Sequence, residues 1–337
     1  MRLAAIDIGS NSIKLVVAEA AAGADALDII ERDKEVVRLG HDTLRQGFLA
    51  PEAIGRAAET ISRYREASAA LGAEVLLAIA TASVREAANA AEFVAEVEQR
   101  SGVRVEVLSG VEEARLIGVA ASAGCAPAGV PVINVDIGGG STELSLVRDG
   151  APQGLFSVKL GAVGLSEQFI AGDPPRPKEL RALRDAIRGE LEGPARSLRG
   201  ATWARATGTS GTVLAVGEVL RLRALRALRD AGRPARDARR ASSASGGGAR
   251  IEGAGIAFGR LARLNRKLAA MSGAERRGVP GISAQRAEIV VAGGQILEGV
   301  MEALSINFLR PCDYALREGV VIDYLRRAGR EGEKGKG

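Results

Sequence analysis

Two stretches of this chain decide its fold: Asp7-Ile8-Gly9-Ser10-Asn11-Ser12-Ile13-Lys14-Leu15 and Asp136-Ile137-Gly138-Gly139-Gly140-Ser141-Thr142-Glu143-Leu144. In each, an apolar run (Leu3 to Ile6; Val132 to Val135) leads to an Asp. A turn of small polar residues follows, and a second apolar segment returns. The pattern reads as strand, tight turn, strand. Glycines let backbone N–H groups approach an anion closely, hydroxyls add donors, and an Asp at the strand end suits a hard cation beside that anion. Either turn alone is a weak signal, because Gly and Ser gather in any hairpin. Asp, Ile, Gly, Ser and Leu in register at both, 129 residues apart, point to a duplicated domain whose turns face each other as a phosphate clamp. Neither turn ends in the Gly-Lys-Ser/Thr of a Walker loop, and neither carries the dinucleotide fingerprint. They differ at one informative position, where Lys14 in the first corresponds to Glu143 in the second.

Composition narrows the rest. A chain of 337 residues that is 46% apolar is long enough for two domains. It runs straight into a strand with no signal-peptide pattern, and no apolar run approaches the ~18 residues of a membrane span, so a cytoplasmic protein is expected. Cys125 and Cys312 are too few and too far apart for a disulfide framework or a zinc site, and read as core or surface thiols. The net charge of +5 is local: residues 221–250 hold nine Arg against Asp230 and Asp237, which leaves the remainder slightly acidic. With aromatics at 3%, base-stacking platforms are missing, so no specific nucleic-acid partner is expected. Residues 229–250 read as a flexible basic loop and 331–337 as a disordered tail. His41 is the single histidine, which excludes Ser-His-Asp triads and His-rich metal sites and leaves acid–base work to carboxylates.

Strands alternating with helices predict an α/β architecture in both halves, the second enlarged by helices. Three further constellations could carry chemistry. Ser109 with Glu112 fits a capping box at the start of a helix predicted from about Val111, which gives Glu112 a structural task. Glu113, by its position alone, reads as solvated surface. Ser83 with Glu86 repeats the capping pattern at the head of a helix predicted over 83–100, with Arg85 in its first turn. There the helix dipole disfavours a cation unless an anion is bound, a surface ion pair being the plain alternative. Finally, Thr207-Gly208-Thr209-Ser210-Gly211-Thr212 ends a strand and opens a helix, a third loop whose N–H groups, at Gly208, Ser210, Gly211 and Thr212, could meet phosphate.

With these residues in view, the chain resembles the exopolyphosphatase and guanosine pentaphosphate phosphohydrolase (Ppx/GppA) family of the actin, hexokinase and Hsp70 superfamily. The resemblance runs from Ile6 to Leu325 through IDIGSNSIKLVV, ATASVREA, SGVEEARLIG, VINVDIGGGSTEL, KLGAVGLSEQF, TGTSGT, GISAQRAEIVVAGGQIL and ALREGVVIDYL. No single motif is specific; the ordered series is. It implies two duplicated ribonuclease H-like (actin-like ATPase) domains with a cleft between them. The first would hold residues 1–125 and about 311–330, the second 126–310, with a hinge near 125.

The resemblance further implies that Glu113 is the base that activates water. Asp7, Asp136 and Glu143 would lie at a Mg²⁺ site (Mn²⁺ and a monovalent K⁺ being alternatives), with Glu143 also near the nucleophilic water. Phosphate would be held by Ser10, Asn11 and Ser12, by Gly138, Gly139, Gly140 and Ser141, and by Arg85. The implied reaction is hydrolysis of a terminal phosphoanhydride, with inorganic polyphosphate as substrate. The alternatives are pppGpp as substrate, alone or together with polyphosphate, or a sensor that binds such ligands without cleaving them. A homodimer is the further expected assembly. Two departures stand out: Gly164 replaces an Arg common in the Leu-Gly-Ala-Val-Arg-Leu run, and the chain resembles the short form that lacks a helical carboxy-terminal extension.

Overall fold

The computed structural model describes residues 1–41, 43–230 and 255–334. Its first lobe is built from β1 (Arg2–Ile8), β2 (Ile13–Glu19), β3 (Asp28–Glu35), α1 (Thr43–Gln46), α2 (Pro51–Ala70), β4 (Val75–Ala80), α3 (Ala82–Arg85), α4 (Ala90–Ser101), β5 (Val105–Val107) and α5 (Gly110–Cys125). The second contains β6 (Val132–Ile137), β7 (Thr142–Arg148), β8 (Ala151–Val158), α6 (Ala162–Phe169), α7 (Pro177–Ser197), β9 (Arg205–Thr209), α8 (Ser210–Asp230), β10 (Ile256–Ala257), α9 (Phe258–Ala269), α10 (Gly273–Arg277), α11 (Ala284–Ala303) and β11 (Phe308–Pro311). The last helix, α12 (Leu316–Lys334), returns to pack on β1, β2 and α5.

Duplication is visible in the strand order. The first sheet runs β3-β2-β1-β4-β5 and the second β10-β11-β9-β6-β7-β8. Counted from the β3 edge of the first and the β8 edge of the second, three strands are antiparallel neighbours and the next two add in parallel. Read from the edge, β8-β7-β6-β9-β11 repeats β3-β2-β1-β4-β5, and β10 is an addition on the far side. This is the paired ribonuclease H-like order expected. Even the register repeats, with Asp7 opposite Lys14 and Asp136 opposite Glu143.

Central strands are covered on both faces, which is why β1 and β6 read as continuous apolar runs rather than alternating ones. By contrast β3 (Asp-Ile-Ile-Glu-Arg-Asp-Lys-Glu) is an edge strand, mostly exposed and charged, a composition that resists edge-to-edge pairing. Three cores result. One joins the first sheet to α2 and α4, another joins its opposite face to α5 and α12, and the largest fills the second lobe around α11. Helix α5 is shared between lobes. Its Leu116 and Ile117 enter the core with α12, while its other side lies on the second sheet, where Ser145 Oγ donates to the Ala114 carbonyl at 2.6 Å. At Gly118 a methyl would approach Val147 to 2.7 Å, so a small residue is required for that contact.

Several sequence expectations change. The helix predicted over 83–100 is broken: α3 is one turn ending at Arg85, and α4 begins at Ala90. Asn89 causes the break, since its side-chain amide accepts from Leu49 N and donates to Leu49 O, tying the chain to the loop before α2. Ser83 therefore caps nothing; it lies inside α3, and Glu86 pairs with Lys159 instead. Ser109 does cap α5, accepting from Glu112 N, but the Glu112 carboxylate turns to Arg115 rather than back to the cap. At the carboxy terminus α12 stays helical through Lys334, where a tail was expected from 331. The predicted basic loop falls mainly outside the described residues.

The largest correction concerns the cysteines. Read as thiols, Cys125 and Cys312 form a disulfide, with Cα atoms 6.1 Å apart across a sequence separation of 187. One ends α5 and the other follows β11, so only the return of the chain beneath the cleft brings them together. Among the described residues no helix is long and apolar enough to cross a membrane.

Candidate active site

Between the lobes lies a cavity of about 320 Å³ walled by both Gly/Ser turns. The turns close identically: Gly9 N donates to Ser12 O at 3.2 Å, and Gly138 N to Ser141 O at 2.9 Å. They also meet across the cleft. A methyl at Gly139 would lie 2.8 Å from Ser10 Cβ and 3.5 Å from Asn11 N, so the lobes are closed onto each other and glycine is what permits it. Ser10, Asn11, Ser12, Gly138, Gly139, Gly140 and Ser141 all line the cavity.

The third loop joins this wall through Ser210 and Gly211. Ser210 has φ +83°, a left-handed conformation unusual for a residue with a side chain, and its buried hydroxyl has no hydrogen-bond partner. Such a backbone conformation beside an unsatisfied hydroxyl is a combination that clusters at ligand sites. Gly208 and Thr212 do not line the cleft as expected. Gly208 packs beneath Leu309 and Val213, and Thr212 Oγ1 accepts from Arg286 Nη1 at 3.2 Å.

Four carboxylates converge beneath the loops. Glu113, on the first turn of α5, is only 6% exposed, so the solvated reading of the sequence is overturned. Burial arises because α5 starts hard against β8; a methyl at Gly110 would come within 2.5 Å of Ser157. Its Oε2 accepts from Arg85 Nη1 at 2.9 Å, and the same Arg85 nitrogen donates to the Leu108 carbonyl at 3.0 Å. Burial raises the Glu113 pKa to about 7 against the pull of Arg85, with Asp7 and Asp136 adding repulsion.

Glu143 is 1% exposed, and burial followed by the charges of Glu113 and Asp136 pushes its pKa well above the usual carboxylate range. One oxygen accepts from Ser157 Oγ at 2.8 Å, while Oε2 has no partner. Glu143 is not among the residues that line the cavity. Asp136 is raised as well, mainly by burial, and accepts from Thr209 Oγ1. A ladder supports it: Thr207 Oγ1 donates to Asn134 Oδ1 at 2.8 Å, and Asn134 Nδ2 donates to Thr209 Oγ1 at 3.1 Å. Asp7 instead accepts from Lys14 Nζ at 2.9 Å. The repeated register thus holds an ion pair in one half and two facing carboxylates in the other.

Arg85 faces an adjoining cavity of about 790 Å³, with Ser157, Lys159 and Gly164. On the opposite side a basic wall appears that the sequence did not disclose. Lys14, Lys34, Arg286 and Arg317 come from β2, β3, α11 and α12 to line the main cavity. Neither Lys34 nor Arg286 has a carboxylate partner among the described residues. Burial, then the charges of Arg286, Lys14 and Arg317, lower the Lys34 pKa to about 8, and burial lowers that of Arg286 to about 10. The cleft mouth is crossed by Arg38–Glu288 (3.1 Å), His41–Glu167 (2.7 Å) and Lys159–Glu86 (2.8 Å).

As a metal site the carboxylates form no closed cage. Among the described residues no group of three or more His, Cys, Asp or Glu is arranged to hold a metal, and Lys14, Thr209 and Ser157 each bond one oxygen of Asp7, Asp136 and Glu143. Mg²⁺ does not require a cage, since it keeps several waters and uses one or two carboxylates together with substrate phosphates. The orphaned Glu143 Oε2 and the charge of Asp136 fit that mode.

Carboxylates whose acidity burial weakens, set against a clamp of backbone donors, suit transfer of a phosphoryl group to water, and the fold and site define a two-lobed phosphoanhydride hydrolase. The chain belongs to the Ppx/GppA phosphatase family, whose sequence pattern matches residues 16–328. It is 32% identical over 325 residues to exopolyphosphatase 1 of Mycobacterium leprae, covering 96% of this chain and 90% of that protein. The Mycobacterium tuberculosis (strain H37Rv) exopolyphosphatase 1 is 30% identical, with 96% and 88% covered. Among solved structures, the Aquifex aeolicus family member superposes with a TM-score of 0.75 at 25% identity over 97% of this chain and 98% of that one. An exopolyphosphatase from Cytophaga hutchinsonii shares the fold, with a TM-score of 0.82 at 23% identity over 96% and 98%. The family is generally dependent on a divalent metal.

Proposed function

We infer that this protein is an exopolyphosphatase that removes the terminal phosphate of inorganic polyphosphate with Mg²⁺. One observation carries the substrate: Lys34 and Arg286, cations with no carboxylate partner among the described residues, stand with Lys14 and Arg317 along the cavity that begins at the phosphate loops. Like charges gathered along one wall repel each other until an anion arrives, and a chain of phosphates supplies one charge after another. Among the described residues that line the cavity none is aromatic, so none of them offers a stacking surface for guanine. That favours polyphosphate over pppGpp.

In this reading the backbone N–H groups of the two turns and the hydroxyls of Ser10, Ser12, Ser141 and Ser210 hold the terminal phosphates. Arg85 neutralises charge on the transferred group and, through its bond to Glu113, fixes that carboxylate. Glu113, with its pKa near 7, takes the proton of the attacking water, a contribution typically worth ~10² to 10⁴-fold. Asp136 and Glu143, with Asp7 as an outer charge, would hold Mg²⁺, which supplies neutralisation of phosphate oxygens.

The test is orthophosphate release from short polyphosphate, long polyphosphate, pppGpp and ATP, side by side, with Mg²⁺ and with EDTA. Metal-dependent release fastest from polyphosphate is expected. Preference for pppGpp would overturn the substrate, and binding without release from any of the four would make the protein a sensor.

A further inference from the structure

Every covalent path between the lobes passes through two short crossovers, residues 126–131 between α5 and β6 and residues 312–315 between β11 and α12. Cys125 is the last residue of α5 and Cys312 the first of the second crossover, and these two, the chain's only cysteines, are bonded to each other. The whole second sheet is thereby closed into one covalent loop, joined to the first lobe at a single stapled point. We propose that the Cys125–Cys312 pair is a redox-operated hinge lock. Oxidised, it makes the two crossovers move as one and limits how far the cleft opens; reduced, it lets them part.

The surroundings argue for this. Helix α5 carries Glu113 at one end and Cys125 at the other and is gripped between the two sheets, so opening cannot be absorbed within it. The first crossover can absorb it. Residues 127–129 are exposed, and a methyl built on Gly129, at φ +76°, would meet nothing within 4 Å, its N–H being the one tie to Asp149 Oδ1 that the segment must carry along. The second crossover is anchored on both sides, with Cys312 N donating to Gly208 O in the second lobe and Tyr314 OH to Leu27 O in the first. Tyr314 also lies on Gly124, where a methyl would come within 2.4 Å of its ring. Cys312 and Asp313 form part of the cleft wall, so displacement of this segment is felt in the cavity itself.

Access decides the chemistry. Cys312 is 2% exposed, whereas Cys125 is half-buried, so an incoming thiolate attacks Cys125 Sγ. The S–S bond breaks, its electron pair leaves on Cys312 Sγ, and that thiolate takes a proton. The second thiol of a dithiol reductant then displaces Cys125, which also takes a proton, and the reductant departs as its disulfide. Two electrons and two protons are transferred.

Hydrogen exchange at residues 126–131 and 312–315 tests the lock without any substrate, and so independently of the polyphosphate assignment. Reducing the oxidised wild type with dithiothreitol should speed exchange in both segments roughly tenfold. A Cys125→Ser/Cys312→Ser variant should show the fast behaviour from the start and not respond to dithiothreitol. With polyphosphate, reduction should raise KM several-fold and leave the single-turnover rate unchanged, the signature of a change in opening rather than chemistry. Two free thiols by intact mass in air-oxidised protein would overturn the proposal. So would equal exchange before and after reduction of the wild type, a comparison that does not depend on the variant folding.

Discussion

Replacing Glu113 by Gln keeps the shape of the side chain and an acceptor for Arg85 while removing the charge. The carboxyl is carried from 4.5 to about 7 because burial and its acidic neighbours outweigh Arg85. At roughly 1.4 kcal/mol per pH unit, keeping it ionised costs the folded protein up to about 3 kcal/mol above pH 7. The sign follows from proton binding. Between pH 4.5 and about 7 the folded state retains a proton that the unfolded chain has lost, so stability falls as pH rises through that window and levels off above it. Urea unfolding at pH 8 should therefore find Glu113→Gln more stable than wild type by up to about 3 kcal/mol, and the difference should close near pH 4.5. Orthophosphate release should drop ~10² to 10⁴-fold with polyphosphate binding retained. Equal or lower stability of the variant at pH 8 would refute the desolvated carboxylate, and turnover near that of wild type would refute its role as base. A gain in stability paired with a loss of rate is expected where a fold holds a strained charge for chemistry.

Three further outcomes follow. Lys34→Ala should raise KM for polyphosphate about tenfold with little change in kcat and flatten the dependence of KM on salt, because a phosphate contact is lost and no reacting group; an unchanged KM would remove Lys34 from the chain path. The wild-type pH profile of kcat/KM should rise through about 7, as Glu113 loses its proton, and fall above about 8, as Lys34 loses its charge, with the alkaline fall reduced in Lys34→Ala. Gly139→Ala places a methyl 2.8 Å from Ser10 across the cleft, so closure and turnover should suffer by roughly tenfold or more while the melting temperature barely moves; full activity would mean that the lobes need not close onto each other.

Much of the fold was legible because it is written in local chemistry. An apolar run ending in Asp, followed by small polar residues and a returning strand, specifies its own hairpin, and its repetition at Asp7 and Asp136 specifies the duplicated sheets. The informative mismatch, Lys14 against Glu143, was legible too, since cross-strand register places each opposite its Asp. Burial was not. Glu112 and Glu113 are neighbours on one helical turn, yet one is half-buried and pairs with Arg115 while the other is sealed against Arg85; which is which depends on β8 closing over α5. The helix break before α4 required Leu49 to be within reach of Asn89. The basic wall required β2, β3, α11 and α12 to meet, and the disulfide required the chain to return under the cleft after 187 residues. By itself the sequence determined the strands, the turns and where phosphate is to be held, because those depend on contacts a few residues long. Only the tertiary structure decided which charges lose their water, and with that their acidity and partners, because desolvation is imposed by segments distant in the chain.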